Sequence, residues 1–65
     1  MADLLRRLFG WRPRPMPYDR AKALANHPDP RRRAALARRA DLRPELLYYL
    51  AEDRDPAVRR AVALN

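Results

Sequence analysis

The segment PELLYYLAEDRDPAVRRAVALN, residues 44–65, decides the fold of this 65-residue chain. It contains two short stretches with apolar residues at helical spacing, separated by the dipeptide Asp55-Pro56. An aspartate before a helix can accept hydrogen bonds from the free N–H groups of the first turn, and proline is well tolerated at the first helical position. The segment therefore predicts two short helices, the second beginning at Pro56.

The same pattern occurs earlier in the chain, where Asp29-Pro30 stands in the place of Asp55-Pro56. This register, a 26-residue spacing, holds without a gap between residues 18–39 and 44–65. We therefore predict helices over about residues 19–26, 30–39, 43–53 and 56–65. They form two repeats, over residues 18–43 and 44–65, of which the second is cut short. A single repeat cannot bury its apolar residues, but stacked neighbours can.

The apolar positions predict which residues face the core. The inward-facing set is Leu24, Leu36, Leu47, Leu50, Val58 and Val62. Of the adjacent Tyr48 and Tyr49, one is expected in the core and the other at the surface or at a contact between repeats. Leu46, Val62 and their neighbours are expected to form an uncovered apolar end, so the isolated chain should be marginally stable or should self-associate.

The segment over residues 1–17 differs in composition from the rest. Residues 1–10 place leucine and phenylalanine at helical spacing with arginines between them, which predicts a short, basic, amphipathic helix. Three prolines then predict a stiff, extended linker over residues 11–17. The apolar side of this helix is a candidate contact for an anionic membrane, for a partner, or for the open end of the repeats, which it would cap. Capping and partner contact are favoured because the helix is short. The residues concerned are Leu4, Leu5, Leu8, Phe9 and Trp11.

The charge of the chain is unevenly distributed. Fifteen Lys and Arg stand against eight Asp and Glu, giving a net charge of +7, and the excess lies in residues 1–39. Such asymmetry is typical of proteins that bind an anionic partner, although a GC-rich genome also enriches arginine. The candidate polyanion site consists of Arg20, Lys22, Arg31, Arg32, Arg38 and Arg39. A solvated capping surface is the simpler interpretation of the same residues.

No catalytic or metal site is indicated by the sequence. The chain has no Ser, Thr or Cys for His27 to activate, and a lone histidine before a proline is usually a loop residue. Asp53 and Asp55 are close enough to share a cation, but turn and capping roles are favoured beside Pro56. We expect no enzyme and no cofactor. The lack of cysteine fits a reducing cytoplasm, and no segment reaches the roughly 20 apolar residues of a membrane span.

The stretch from Leu42 to Asn65 resembles the leucine-rich repeat variant, a short relative of HEAT-like helical repeats. It is also similar to a group of uncharacterised, mainly alphaproteobacterial proteins built on such repeats. The matching residues are Pro44-Glu45-Leu46-Leu47, Leu50-Ala51, Asp53, Asp55-Pro56, Val58-Arg59, Val62-Ala63 and Asn65. The first repeat departs from the pattern, with Arg32 in the place of Val58 and His27 in the place of Asp53, as expected of a capping repeat.

The resemblance implies an all-α, right-handed, HEAT-like solenoid whose repeats continue beyond Asn65. It implies a non-enzymatic scaffold that contacts a protein partner or further repeats of the same chain. Two alternatives stay open. One is a nucleic-acid-binding module that uses residues 20–39, and the other is a peripheral membrane protein held by residues 2–12.

Overall fold

The computed structural model describes Leu4 and residues 15–65, and four helices lie within residues 15–65. They are α1 (Tyr18–Ala25), α2 (Pro30–Ala37), α3 (Pro44–Ala51) and α4 (Pro56–Ala63). Each helix is eight residues long, and no strand occurs in residues 15–65. The predicted all-α class is confirmed. We call α1 and α2 the first helix pair, and α3 and α4 the second.

Aspartate and proline fix the start of the second helix in each pair. The Asp29 carboxylate accepts a hydrogen bond of 2.9 Å from the backbone N–H of Arg31 at the start of α2. The Asp55 carboxylate accepts one of 2.8 Å from the backbone N–H of Ala57 at the start of α4. Each bond satisfies a donor that the first turn of a helix leaves free. The predicted capping roles of Asp29 and Asp55 are confirmed.

The helices begin and end within two residues of the predicted positions, and local chemistry accounts for the differences. Arg43 lies outside α3, with ψ near 143°, because the ring of Pro44 disfavours helical geometry in the residue before it. At the other end, α3 stops at Ala51 instead of Asp53. The Asp53 side chain accepts a hydrogen bond of 2.9 Å from the backbone N–H of Asp55, and this bond closes a turn instead of extending the helix.

The predictions for the N-terminal segment fall largely outside the described residues. The helix over residues 1–10 belongs there except for Leu4, and so does the linker except for residues 15–17. Pro17 has φ −58° and ψ 142°, which is polyproline geometry. It leads directly into α1.

The two helix pairs pack side by side. The contact of α2 with α4 is the most extensive, and the contact of α1 with α3 is smaller. Alanines at the buried positions of α2 let the neighbouring helix approach closely, since they place no long side chain between the two backbones. Ala34 and Ala37 are both buried. The pairs are therefore held together mainly through α2 and α4.

The core confirms part of the predicted inward-facing set and corrects the rest. Its members are Ala21, Ala25, Ala34, Leu36, Ala37, Leu46, Leu50, Val58 and Ala61. Leu36, Leu50 and Val58 are buried as predicted, while Leu24 and Val62 are partly buried and pack against this core. Leu47 is only half-buried.

Leu46 was expected at an uncovered end and is instead buried, with 5% of its surface exposed. It lies beside Tyr18 and Ala21 of α1. Leu46 and Leu50 are four residues apart and therefore share one side of α3. That side faces the first helix pair, and this orientation moves Leu47 away from the core.

Candidate interaction surfaces

A buried ion pair joins the two helix pairs. Arg33 Nε donates to Asp53 Oδ2 at 2.8 Å, and Arg33 Nη2 donates to Asp53 Oδ1 at 3.2 Å. Arg33 Nη1 donates to the backbone oxygen of His27 at 2.6 Å. Only 4% of the arginine is exposed. A buried charge needs partners for its polar atoms, and the bidentate contact with the carboxylate and the backbone oxygen supply them.

The same contacts set the protonation of the pair. Burial alone would raise the pKa of Asp53, but hydrogen bonds from Arg33 and from the Asp55 backbone N–H lower it overall. The hydrogen bond to Asp53 raises the pKa of Arg33 in turn. Both groups are therefore charged at neutral pH, and the link between the helix pairs is a full salt bridge.

The turns before α2 and α4 are built in the same way. The backbone N–H of Asp29 donates to His27 Nδ1 at 3.0 Å. The backbone N–H of Asp55 donates to Asp53 Oδ1 at 2.9 Å. His27 and Asp53 occupy the same position in their respective repeats. The predicted loop position of His27 is confirmed, and its imidazole accepts the hydrogen bond that a carboxylate accepts in the second turn.

The two arginines that follow these turns are also counterparts. Arg33 Nη1 donates to the His27 backbone oxygen, and Arg59 Nη1 donates to the Asp53 backbone oxygen at 2.7 Å. Arg59 therefore has the same anchoring hydrogen bond in the second helix pair that Arg33 has in the first. The two differ in one respect: Arg33 also binds a carboxylate, whereas no ion pair involving Arg59 is present within residues 15–65.

A side-chain amide forms a further link between the pairs. Asn65 Nδ2 donates to the backbone oxygens of Ala37 and Arg39, both at 2.8 Å. These oxygens lie at the end of α2, where a helix leaves its last carbonyl groups without intrahelical partners. An amide nitrogen carries two hydrogens, so one Asn side chain can satisfy both acceptors.

One side of the second helix pair is uncovered. The buried residues of the first pair are Ala21, Ala25, Arg33, Ala34, Leu36 and Ala37. Their counterparts in the second pair are Leu47, Ala51, Arg59, Arg60, Val62 and Ala63, of which Leu47 and Val62 are half-buried and the other four exposed. The difference arises because the second pair covers the first, and no described residue covers the second. We call these six counterparts the C-terminal face.

The opposite side of the first helix pair is not covered by residues 15–65 either, but its chemistry differs. The buried residues of the second pair are Leu46, Leu50, Val58 and Ala61. Their counterparts are Arg20, Leu24, Arg32 and Ala35, which we call the N-terminal face, and all are exposed except the half-buried Leu24. Two apolar positions of the interface between the pairs are therefore arginines on this face.

Two of the six candidate polyanion-binding residues form ion pairs. Arg31 binds Asp29 at 3.2 Å, and this contact lowers the pKa of Asp29. Arg39 binds Asp41 at 2.9 Å, which lowers the pKa of Asp41 to about 2. The positive charge of these arginines is thus partly offset by the neighbouring carboxylates.

The other four candidates are exposed and form no ion pair within residues 15–65. Arg20 and Arg32 belong to the N-terminal face. Lys22 lies on α1 beside a shallow depression that Tyr18 and Tyr49 also line. Arg38 lies with Arg31 along a groove between α2 and α4. The structure therefore distributes the candidate residues over several sides of the first helix pair.

The prediction for the adjacent tyrosines is wrong in one respect. Tyr48 and Tyr49 are both exposed, at 77% and 54%, because Leu46 and Leu50 occupy the buried side of α3. The Tyr49 hydroxyl donates to Asn26 Oδ1, so it forms the expected contact between repeats. Beside this bond lies an open polar cavity of about 340 Å³ that reaches Arg33 and Asp53.

The candidate membrane or partner contact is mostly outside the described residues. Leu4 is exposed, while Leu5, Leu8, Phe9 and Trp11 are not described. No helix within residues 15–65 has the length and apolar character needed to cross a bilayer.

Arg33 and Asn65 are the interaction residues that sequence reasoning missed. Both lie within the 26-residue register, where Arg33 corresponds to Arg59 and Asn65 to Arg39, but the sequence pattern assigns neither of them a contact. The sequence does contain a signal for Arg33. Of the three consecutive arginines at residues 31–33, only Arg33 corresponds to another arginine, Arg59, at the repeat spacing. A comparison with known proteins adds no further assignment, because no family model, curated protein or solved structure matches the chain.

Proposed function

We propose that the chain is a non-enzymatic scaffold, a segment of a right-handed, HEAT-like α-solenoid that binds a further helix pair through its C-terminal face. The observation that carries this proposal is the difference in burial between counterpart residues. Every buried residue of the first helix pair has a counterpart on the C-terminal face that is at least partly exposed. A surface that resembles an interior interface at five of its six positions, with Arg60 in place of Ala34 as the exception, is thus presented to solvent.

The composition of the C-terminal face supports helix binding. Ala51 and Ala63 are small enough to let another helix approach closely, and Leu47 offers a larger apolar side chain. On the first pair, Ala25 and Ala37 occupy the same positions and are almost completely buried, at 1% and 0%. The same residue types at the same spacing therefore suit the same kind of neighbour.

A fusion can test whether this face accepts a helix pair. A second copy of residues 40–65 is attached directly after Asn65, which preserves the register of the repeats. We expect helicity, the unfolding midpoint and the urea m-value all to rise, since the added pair buries surface against the C-terminal face and unfolds with the rest. The matched control carries the same appended segment in scrambled order. If the fusion unfolds with the midpoint and m-value of the original chain, the proposal is wrong.

Binding of a polyanion is the second candidate function. It is supported by the exposure of Arg20, Lys22, Arg32 and Arg38, which form no ion pair within residues 15–65. Phosphate groups bind exposed arginine and lysine mainly through charge, and such binding weakens as salt is added. The two functions use different sides of the molecule, so separate substitutions can distinguish them.

A further inference from the structure

We propose that the C-terminal face is selective: it binds a helix pair that presents a carboxylate to Arg59, and it rejects a second copy of this chain. This inference rests on the proposed function and adds the chemistry of the partner. The partner is a helix pair with an acidic residue in the turn between its helices and an amide side chain at its end.

Arg59 is already held in the orientation needed to bind a carboxylate. Its Nη1 donates to the Asp53 backbone oxygen at 2.7 Å, as Arg33 Nη1 does to the His27 oxygen at 2.6 Å. In Arg33, the remaining Nε and Nη2 atoms bind both oxygens of Asp53. A guanidinium whose third nitrogen is fixed loses little freedom when it binds a carboxylate, so the anchor favours a bidentate contact.

The end of α4 supplies the second element of recognition. In the first pair, the backbone oxygens of Ala37 and Arg39 accept hydrogen bonds from the Asn65 amide. Their counterparts are the backbone oxygens of Ala63 and Asn65, both in exposed residues. A partner with an asparagine at the position equivalent to Asn65 would repeat this contact.

The N-terminal face of a second copy does not meet these requirements. In a head-to-tail contact it would place Arg20 and Arg32 where Leu46 and Val58 are buried in the chain itself. Arg32 would then take a position that is fully buried in the chain itself, and burying a charge without a partner is strongly unfavourable.

A second copy also lacks the side chains that would bind Arg59 and the backbone oxygens at the end of α4. The copy would present His27 instead of an aspartate to Arg59. It would present Arg39 instead of an amide to the end of α4, and Arg39 is already paired with Asp41. The N-terminal face of a second copy therefore does not fit the C-terminal face.

The fusion described above provides the test. It contains Asp53 twice, once in the original chain and once in the appended segment, and only the appended copy is changed. Arg59→Gln in the original part of the fusion, or Asp→Asn in the appended copy of Asp53, should each remove most of the rise in unfolding midpoint. The two changes together should lose no more than either alone, because they break one contact and leave no unpaired charge. Arg32→Gln is the matched control, since it removes an exposed charge that lies outside the C-terminal face.

The outcomes separate the inference from the proposed function. If the fusion is stabilised and Arg59→Gln leaves that gain intact, or Arg32→Gln removes as much of it, selective recognition by Arg59 is overturned while helix binding stands. If the fusion gains nothing, the proposed function fails and the inference fails with it. Sedimentation of the original chain tests whether the C-terminal face rejects a second copy. A monomer supports the rejection of a second copy, and concentration-dependent association that Leu47→Glu abolishes overturns it.

Discussion

Arg33 on α2 and Asp53 in the turn before α4 are twenty residues apart and form the buried salt bridge between the two helix pairs. Both side chains are almost completely removed from solvent. Removing one partner leaves the other as an unpaired charge in the interface, which is worse than removing both. Arg33→Gln and Asp53→Asn should therefore each lower the urea midpoint much more than Arg31→Gln, which breaks an exposed pair. The double variant should be less destabilised than the sum of the single changes, and strict additivity would show that the pair is not coupled.

Leu50 should be the most sensitive apolar position in the second helix pair. It is fully buried, and replacing a buried leucine with alanine removes contacts and leaves a cavity. Leu50→Ala should lower the free energy of unfolding by about 2–5 kcal/mol. Leu64→Ala is the control, since Leu64 is 79% exposed and should change stability by less than about 0.5 kcal/mol. Urea denaturation followed by circular dichroism measures both, and equal effects would contradict the observed packing.

The cap of α4 should contribute measurably to stability. Asp55 Oδ1 accepts from the Ala57 backbone N–H at 2.8 Å, and alanine at this position has no acceptor. Asp55→Ala should cost about 1 kcal/mol, whereas Asp55→Asn should retain most of the stability because asparagine also caps well. Thermal unfolding of the three proteins measures the difference. An asparagine variant as unstable as the alanine variant would point to a role for the charge instead of the hydrogen bond.

The depressed pKa values predict a loss of stability in acid. Arg39 lowers the pKa of Asp41 from 3.8 to about 2, and the pKa values of Asp29 and Asp53 are also lowered. A carboxyl group with a lower pKa in the folded state stabilises that state above its unfolded pKa, and the contribution is lost as pH falls through the folded value. The melting temperature should therefore be nearly constant above about pH 5 and fall toward pH 2.

Variants assign this acid loss to particular pairs. Arg33→Gln should flatten the fall more than Arg39→Gln, because the Arg39–Asp41 pair is partly exposed and screened by solvent. Melting curves in 0.15 M salt at each pH provide the measurement. A melting temperature that rises as the pH is lowered from 5 to 2 would contradict the sign of these shifts.

If the chain binds a polyanion, the arginines in α2 and just after it should contribute unequally to that binding. Arg32 and Arg38 form no ion pair within residues 15–65, whereas Arg31 and Arg39 do. Replacing Arg32 and Arg38 with glutamine should weaken heparin or duplex DNA binding more than replacing Arg31 and Arg39. The salt dependence should flatten by about one slope unit per lost phosphate contact. Glutamine forms helices about as well as arginine, so helicity should be unchanged. Binding that neither pair of substitutions affects would leave these charges as a solvated surface.

Much of the fold could be predicted because its signals are local. Asp29-Pro30 and Asp55-Pro56 mark helix starts through the chemistry of a few neighbouring atoms, and the observed helices begin at those prolines. The orientation of α3 could not be predicted in the same way. Leu46, Leu47 and Leu50 give an apolar stripe broad enough to face the core in more than one rotation. Packing on the first helix pair decides between them, and it buries Leu46.

The interaction surfaces required contacts between residues distant in the chain. Arg33 stands among three consecutive arginines, and composition alone treats the three alike. Only the approach of the second helix pair distinguishes them, since it places the Asp53 carboxylate beside Arg33 and leaves Arg31 and Arg32 exposed. The polyanion interpretation grouped residues by charge, whereas burial and ion pairing separate them.

The length of the helices has a consequence for how a partner binds. Each has eight residues, and an isolated helix of about two turns is mostly unfolded in water. A helix pair of similar length that docks on the C-terminal face would therefore gain its structure in the act of docking. Calorimetry should show this coupling as a large negative heat-capacity change with an unfavourable entropy, because the ordering of the partner is included in the measured binding.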